Sequence, residues 1–96
     1  MKGKKFFTEV SRLAAQRGAT PVQVEQVLVW GSHFASERSR RTTLDRLAVM
    51  MVREFIVRRA LKKWLWSLDK GIEADAAWEQ LVVNANNLLK MAAHTM

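Results

Sequence analysis

The residues best equipped to do chemistry in this chain are its cations. Arg58, Arg59, Lys62 and Lys63 recur at spacings that, in a helix, put them on one half-face, with Asp69 and Lys70 behind them. A rigid row of that kind can follow a phosphate backbone and displace the counterions condensed on it. Arg38, Arg40, Arg41 and Arg46 form a second group, and Lys2, Lys4 and Lys5 a third at the N-terminus. Other chemistries find few residues. His33 and His94 are far apart and cysteine is absent, so no metal-ligand spacing exists. Asp69, Glu73 and Asp75 stand where carboxylates cap helices and offset their dipoles. The four glycines are scattered singly, not gathered into a phosphate loop. Asn84, Asn86 and Asn87 fall mostly on the polar side of a helix. The expectation is binding without catalysis: no enzyme, no cofactor, no metal and no small-molecule substrate.

The charge distribution agrees with that expectation. Residues 1–41 carry eight Lys and Arg against three acids, and residues 42–72 carry seven against three. Residues 73–96 carry only Lys90 against Glu73, Asp75 and Glu79. A basic body with a net charge of +7 points to a polyanionic partner, although an ordinary soluble basic protein has the same profile. The hydrophobic share of 49% excludes a disordered basic tail. The longest apolar run, Leu47 to Val52, is stopped by Arg53 and Glu54, far short of the roughly 18 residues of a membrane span. The N-terminus lacks the apolar stretch of a secretory signal. The absence of cysteine suits a reducing compartment, so the expected location is cytoplasmic. The small size suits a compact prokaryotic, plasmid or phage gene.

The elements that must position the cations are helices. The expected fold is all-α: one domain over residues 1–96, a compact bundle of about four helices with one long central helix, preceded by a flexible basic arm over residues 1–5. A first helix runs from about Lys5 to Arg17, with Phe6, Val10, Leu13 and Ala14 on one face and Gly18 closing it. Thr20 and Pro21 supply a hydroxyl cap and a proline at the first helical position of a second helix, which continues to Ser36 or Arg38. Thr42, with Asp45 three residues on, starts a third helix that ends at Lys70 before Gly71. A fourth runs from about Glu73 to Ala93 with a single stripe of Trp78, Leu81, Val82, Ala85, Leu88, Leu89 and Ala92. A chain this short buries only around 60–65% of its unfolded surface, so support from a partner is common.

The third helix has two apolar faces. Leu44, Ala48, Met51 and Phe55 share one, with Leu47 and Val52 at its margins; Val57, Ala60, Leu61, Trp64 and Leu68 share another, rotated by more than a quarter turn. A helix against one neighbour keeps one stripe. With no Gly or Pro near Ile56 to break it, this helix is expected to meet different partners along its length. The surplus apolar residues Val49, Met50, Ile56 and Trp66 fit an inter-chain contact, made by the third helix together with the fourth. Trp64 and Trp66 are expected opposite the cations, in the core, which disfavours a membrane-surface role.

Residues Val10 to Val29 carry a further pattern. Ala14 is small, Gly18 follows four positions on, and Val24 six after that, with Leu13 and Val27 or Leu28 as additional core positions. Over these twenty residues the chain resembles the helix-turn-helix of bacterial regulators, in which Ala permits close approach, Gly makes the turn and the aliphatics lock the second helix. The resemblance implies that the second helix faces a major groove with Thr20, Val22, Gln23, Gln26 and His33. Glutamine can pair with adenine and Val22 could touch a thymine methyl. No Lys or Arg lies on that helix before Arg38, and Glu25 would approach phosphate.

The expected function is a small DNA-binding regulator acting as a homodimer. It would hold double-stranded DNA through Thr20, Gln23 and Gln26, the junction Arg38, Arg40, Arg41 and Arg46, and the helical Arg58, Arg59, Lys62 and Lys63. The alternative is a helical adaptor, subunit or inhibitor that buries its surplus apolar surface on another protein. RNA is a weaker third option, because no aromatic is expected beside the cations for base stacking.

Overall fold

Four helices follow one another in the computed structural model, which describes residues 3–39 and 44–93, excepting the side chains of residues 3–4, 37–39, 46 and 91–93. They are α1 (Gly3–Gln16), α2 (Pro21–Ser39), α3 (Leu44–Lys70) and α4 (Ala74–Ala93), with no strand among the described residues. Thr42, read as the cap of α3, and Arg40 and Arg41 of the junction lie outside the described residues. Lys4 and Lys5 are already helical, so the expected basic arm is shorter than five residues.

Two glycine turns close two helical hairpins. Gly18 takes φ 91°, and the amides of Gly18 and Ala19 donate to the carbonyls of Ala15 and Ala14 at 3.3 and 2.9 Å. Gly71 takes φ 68°, and the Ile72 amide donates to the Ser67 carbonyl at 3.1 Å. Both are glycine stops in which a left-handed residue lets the next amides reach back to the last turn's carbonyls. Thr20 opens α2 with a reciprocal cap: the Gln23 amide donates to Thr20 Oγ1 at 3.1 Å, and the Thr20 amide donates to Gln23 Oε1 at 3.0 Å.

Within the first hairpin the two helices stay together to their far ends. Phe7 and Phe34 meet edge to face with ring centroids 5.5 Å apart, although each lies more than two turns from the loop. A Cβ at Gly31 would stand 2.5 Å from the Cβ of Phe7, so the backbones approach as closely as glycine permits. The two helices are thus in contact far from the turn that joins them.

The hairpins join through α1 on α3 and α2 on α4. The shared core is Phe7, Val10 and Ala14 of α1, Val27, Trp30 and Phe34 of α2, Val57, Leu61, Trp64 and Leu65 of α3, and Ala77, Leu81, Ala85 and Leu88 of α4. In α1 the central ring is Phe7, and Phe6, named from the periodicity, packs at its edge. Trp30 stacks on Trp78 at 5.4 Å, and Trp78 leans on Trp64 at 4.8 Å, so three helices share one aromatic cluster. The Arg17 guanidinium adds a tie, donating from Nη1 to the Leu65 carbonyl at 3.0 Å. The 27-residue α3 is about 40 Å long, which accounts for the longest dimension of 41 Å.

The close approach at Gly31 yields a test. Alanine there gains helix propensity but forces its methyl into the root of Phe7, which cannot swing aside as a side-chain tip could. Gly31→Ala is expected to cost a net 1–3 kcal/mol or so, lowering the melting temperature by roughly 4 °C or more relative to Ser32→Ala. Equal melting of the two variants would show that the hairpin is looser than the contact with Phe7 implies.

Candidate nucleic-acid interface

α3 turns one face to its own chain and one away from it. Inward go Val57, Leu61, Trp64 and Leu65, with Leu68 beside them, against α1 and α4. Outward over the second half stand Arg59, Lys62, Lys63, Trp66 and Lys70, all exposed. Spacings of three and four residues set Lys62, Lys63 and Lys70 around Trp66. This corrects an expectation: Trp66 is 52% exposed and belongs to the cationic face, while Trp64 is fully buried. The reason is angular, since two residues apart on a helix point to nearly opposite sides. Arg59, Lys62 and Lys63 form no ion pair among the described residues, and Lys70 lies 3.9 Å from Asp69.

Arg58 is not part of that free surface. Its Nη2 donates to Oε1 of the buried Glu54 at 3.4 Å, and its guanidinium sits 4.9 Å from the centroid of the Phe6 ring. Its side chain is only 25% exposed, so this cation is committed to holding α1 on α3. Arg12 on α1 is similarly occupied. It hydrogen-bonds Glu9, which holds the Glu9 carboxyl below the ordinary carboxylate range and raises the arginine's own pKa.

The base-reading candidates on α2 have other partners. Thr20 and Gln23 cap each other. The spacing Thr-x-x-Gln was the signal for that role, and it is a capping-box spacing as much as a recognition one. Gln26 is half-buried in a groove between α2 and α4 that Val22, Trp30, Trp78, Val82 and Leu89 also line. The outward side of α2 carries Glu25, Leu28, Val29, Ser32 and His33, with no Lys or Arg among the described side chains. Of the three residues that carry the helix-turn-helix resemblance, Ala14 is fully buried, Gly18 makes the turn and Val24 is half-buried. Leu28, the alternative to Val27 as a core position, is 41% exposed, while Val27 is buried. Arg38 and Arg46 fall within α2 and α3, but their side chains, like all of Arg40 and Arg41, lie outside the described residues.

The surplus apolar surface is larger than the residues named for it. Val49, Ile56 and Trp66 are exposed. Met50 is not: it is 8% exposed, because it falls seven residues before Val57, on the same inward face. On α3 the most exposed members are Leu44 at 83%, Val52 and Phe55 at 61% and Met51 at 57%. These form the first-half stripe of α3, and among the described residues nothing in the chain covers it.

Among the described residues no cluster of three or more His, Cys, Asp or Glu is placed to hold a metal, and no helix is long and apolar enough to cross a membrane. No protein-family model, curated protein or solved structure matches the chain.

The contrast between Arg58 and its neighbours predicts separable effects. Arg58→Ala, which removes the bond to buried Glu54 and the contact with Phe6, is expected to cost about 1–3 kcal/mol in chemical denaturation. Lys62→Ala and Lys63→Ala should each stay within roughly 0.5 kcal/mol of the parent. An Arg58→Ala protein as stable as the parent would return Arg58 to the binding surface.

Proposed function

We propose that this chain is a small DNA-binding protein, a cytoplasmic transcriptional regulator that works as a dimer, with α3 as its working element. The observation that carries the reading is the outward face of α3. Over its first half that face is apolar and bare, and over its second half it presents Arg59, Lys62, Lys63 and Lys70. Burying the first requires a second chain, and exposed cations on a rigid helix suit a regular array of phosphates. The junction arginines Arg38, Arg40, Arg41 and Arg46 would extend the phosphate contacts. α2 contributes less to this reading, because Thr20 and Gln23 bond to each other.

A second reading is favoured by a different observation. Val22, Leu28 and Val29 are exposed on α2, where no described cation stands. Apolar surface on two helices suits a helical adaptor, subunit or inhibitor that binds another protein without nucleic acid.

Duplex DNA binding measured across a salt series decides between them. The parent should bind more weakly as salt rises. Replacing Lys62 and Lys63 together by alanine should reduce the slope of log affinity against log salt by about 2, near 0.9 for each phosphate no longer neutralised. Trp66→Ala should leave duplex binding nearly unchanged. If it instead lowers affinity for single strands by about 1–3 kcal/mol per stacked base, the nucleic acid bound is single-stranded. A parent that retains no DNA at low salt supports the adaptor.

A further inference from the structure

We propose that a second copy of this chain docks antiparallel on the first half of the outward face of α3, with the two-fold axis beside Val52. The inference rests on the dimer reading above and is independent of nucleic-acid binding.

Asp45, Ala48, Val52, Phe55 and Arg59 recur at alternating spacings of three and four residues, the seam of a helix that pairs with another helix. All five are exposed, and Leu44, Val49, Met51 and Ile56 widen the strip on either side. Its two ends carry opposite charges at equal distances from the middle: Asp45 lies seven residues before Val52 and Arg59 seven after it.

That symmetry selects the occupant and its direction. In an antiparallel pair centred on Val52, Asp45 faces the partner's Arg59 at both ends. Ala48 faces the partner's Ile56, Val49 faces the partner's Phe55, and Val52 meets its own copy. Small residues oppose large ones, and at each end of the seam Asp45 meets Arg59, while the exposed Arg53 flanks its middle. A parallel pair would set Asp45 against Asp45, and Arg59, Lys62 and Lys63 against their own copies, which repels. A different protein would need a cation for Asp45, an acid for Arg59 and an apolar strip of matching length between them. This chain supplies all three in register, as a closed two-fold contact demands. Lys62, Lys63, Trp66 and Lys70 then lie beyond the two ends of the seam.

Because the chain has no cysteine, single cysteines report the arrangement directly. Without nucleic acid, Val52→Cys should form a covalent dimer on mild oxidation. Trp66→Cys should not, since fourteen residues place it about 21 Å from the axis on each chain. Sedimentation should find the parent dimeric and Val52→Glu monomeric, with helicity retained because Val52 is exposed. Asp45→Arg should weaken association by about tenfold through its two contacts, and adding Arg59→Asp should restore it. A parent that is monomeric, a Trp66→Cys chain that links as readily as Val52→Cys, or a charge swap that rescues nothing overturns the proposal. A monomer that still binds DNA overturns this inference and the dimer reading it rests on but leaves DNA binding standing, whereas an antiparallel dimer that ignores DNA overturns only the nucleic-acid reading.

Discussion

Three indole rings hold the two hairpins together, and the remaining surfaces follow from that contact. Trp30 of α2, Trp78 of α4 and Trp64 of α3 form a continuous cluster in which Trp64 is fully buried. Each ring removes a large apolar area from water and gains directional ring contacts in addition. The Trp64 Nε1–H finds no acceptor among the described residues. A hairpin of two helices has no enclosed interior of its own, so these rings supply what neither hairpin could build alone.

The cluster also sets the orientation of α3. With Trp64 inward, Val57, Leu61 and Leu65 follow it onto α1 and α4, and the opposite side of the helix must face outward along its whole length. Nothing interrupts α3 between Leu44 and Lys70, so its apolar and cationic outer segments are held in one fixed register. The pair of Glu54 and Arg58, with Phe6 against the guanidinium, marks the place where the inner face passes under α1. A cation that looks like part of the basic row is there a structural tie.

Much of the fold was legible from local rules. Gly18 and Gly71 stop helices because a left-handed residue costs glycine nothing, and Thr20 with Pro21 starts one because a hydroxyl accepts a free amide. The stripe of α4 is clean because that helix packs on one side only, and Leu81, Ala85 and Leu88 are its buried line. The change of face near Ile56 was legible for the same reason: residues Leu44 to Phe55 and residues Val57 to Leu68 follow different helical stripes. The candidate site was read less well. Gln23 has the chemistry to read adenine and the spacing to cap a helix, and nothing local chooses between them. Phe6 and Phe7 are neighbours of equal hydrophobicity, and the closeness of Gly31 decided which ring went inside.

The sequence by itself determined four helices, the glycine stops at Gly18 and Gly71, the start of α2 at Thr20 and Pro21, the basic character of the chain and the existence of two apolar faces on α3. Those depend on interactions within a few residues, which periodicity and capping chemistry record. Only the tertiary structure decided which of the two faces is used. Val57, Leu61 and Trp64 are buried, with Leu68 beside them, because the indole of Trp64 meets Trp78, and Leu44, Met51, Val52 and Phe55 are left to the outside as a consequence. It likewise placed Trp66 among the lysines, put Met50 inside and withdrew Arg58 from the surface. Burial is a property of what packs against a residue, and a linear pattern records the stripe without recording its neighbour.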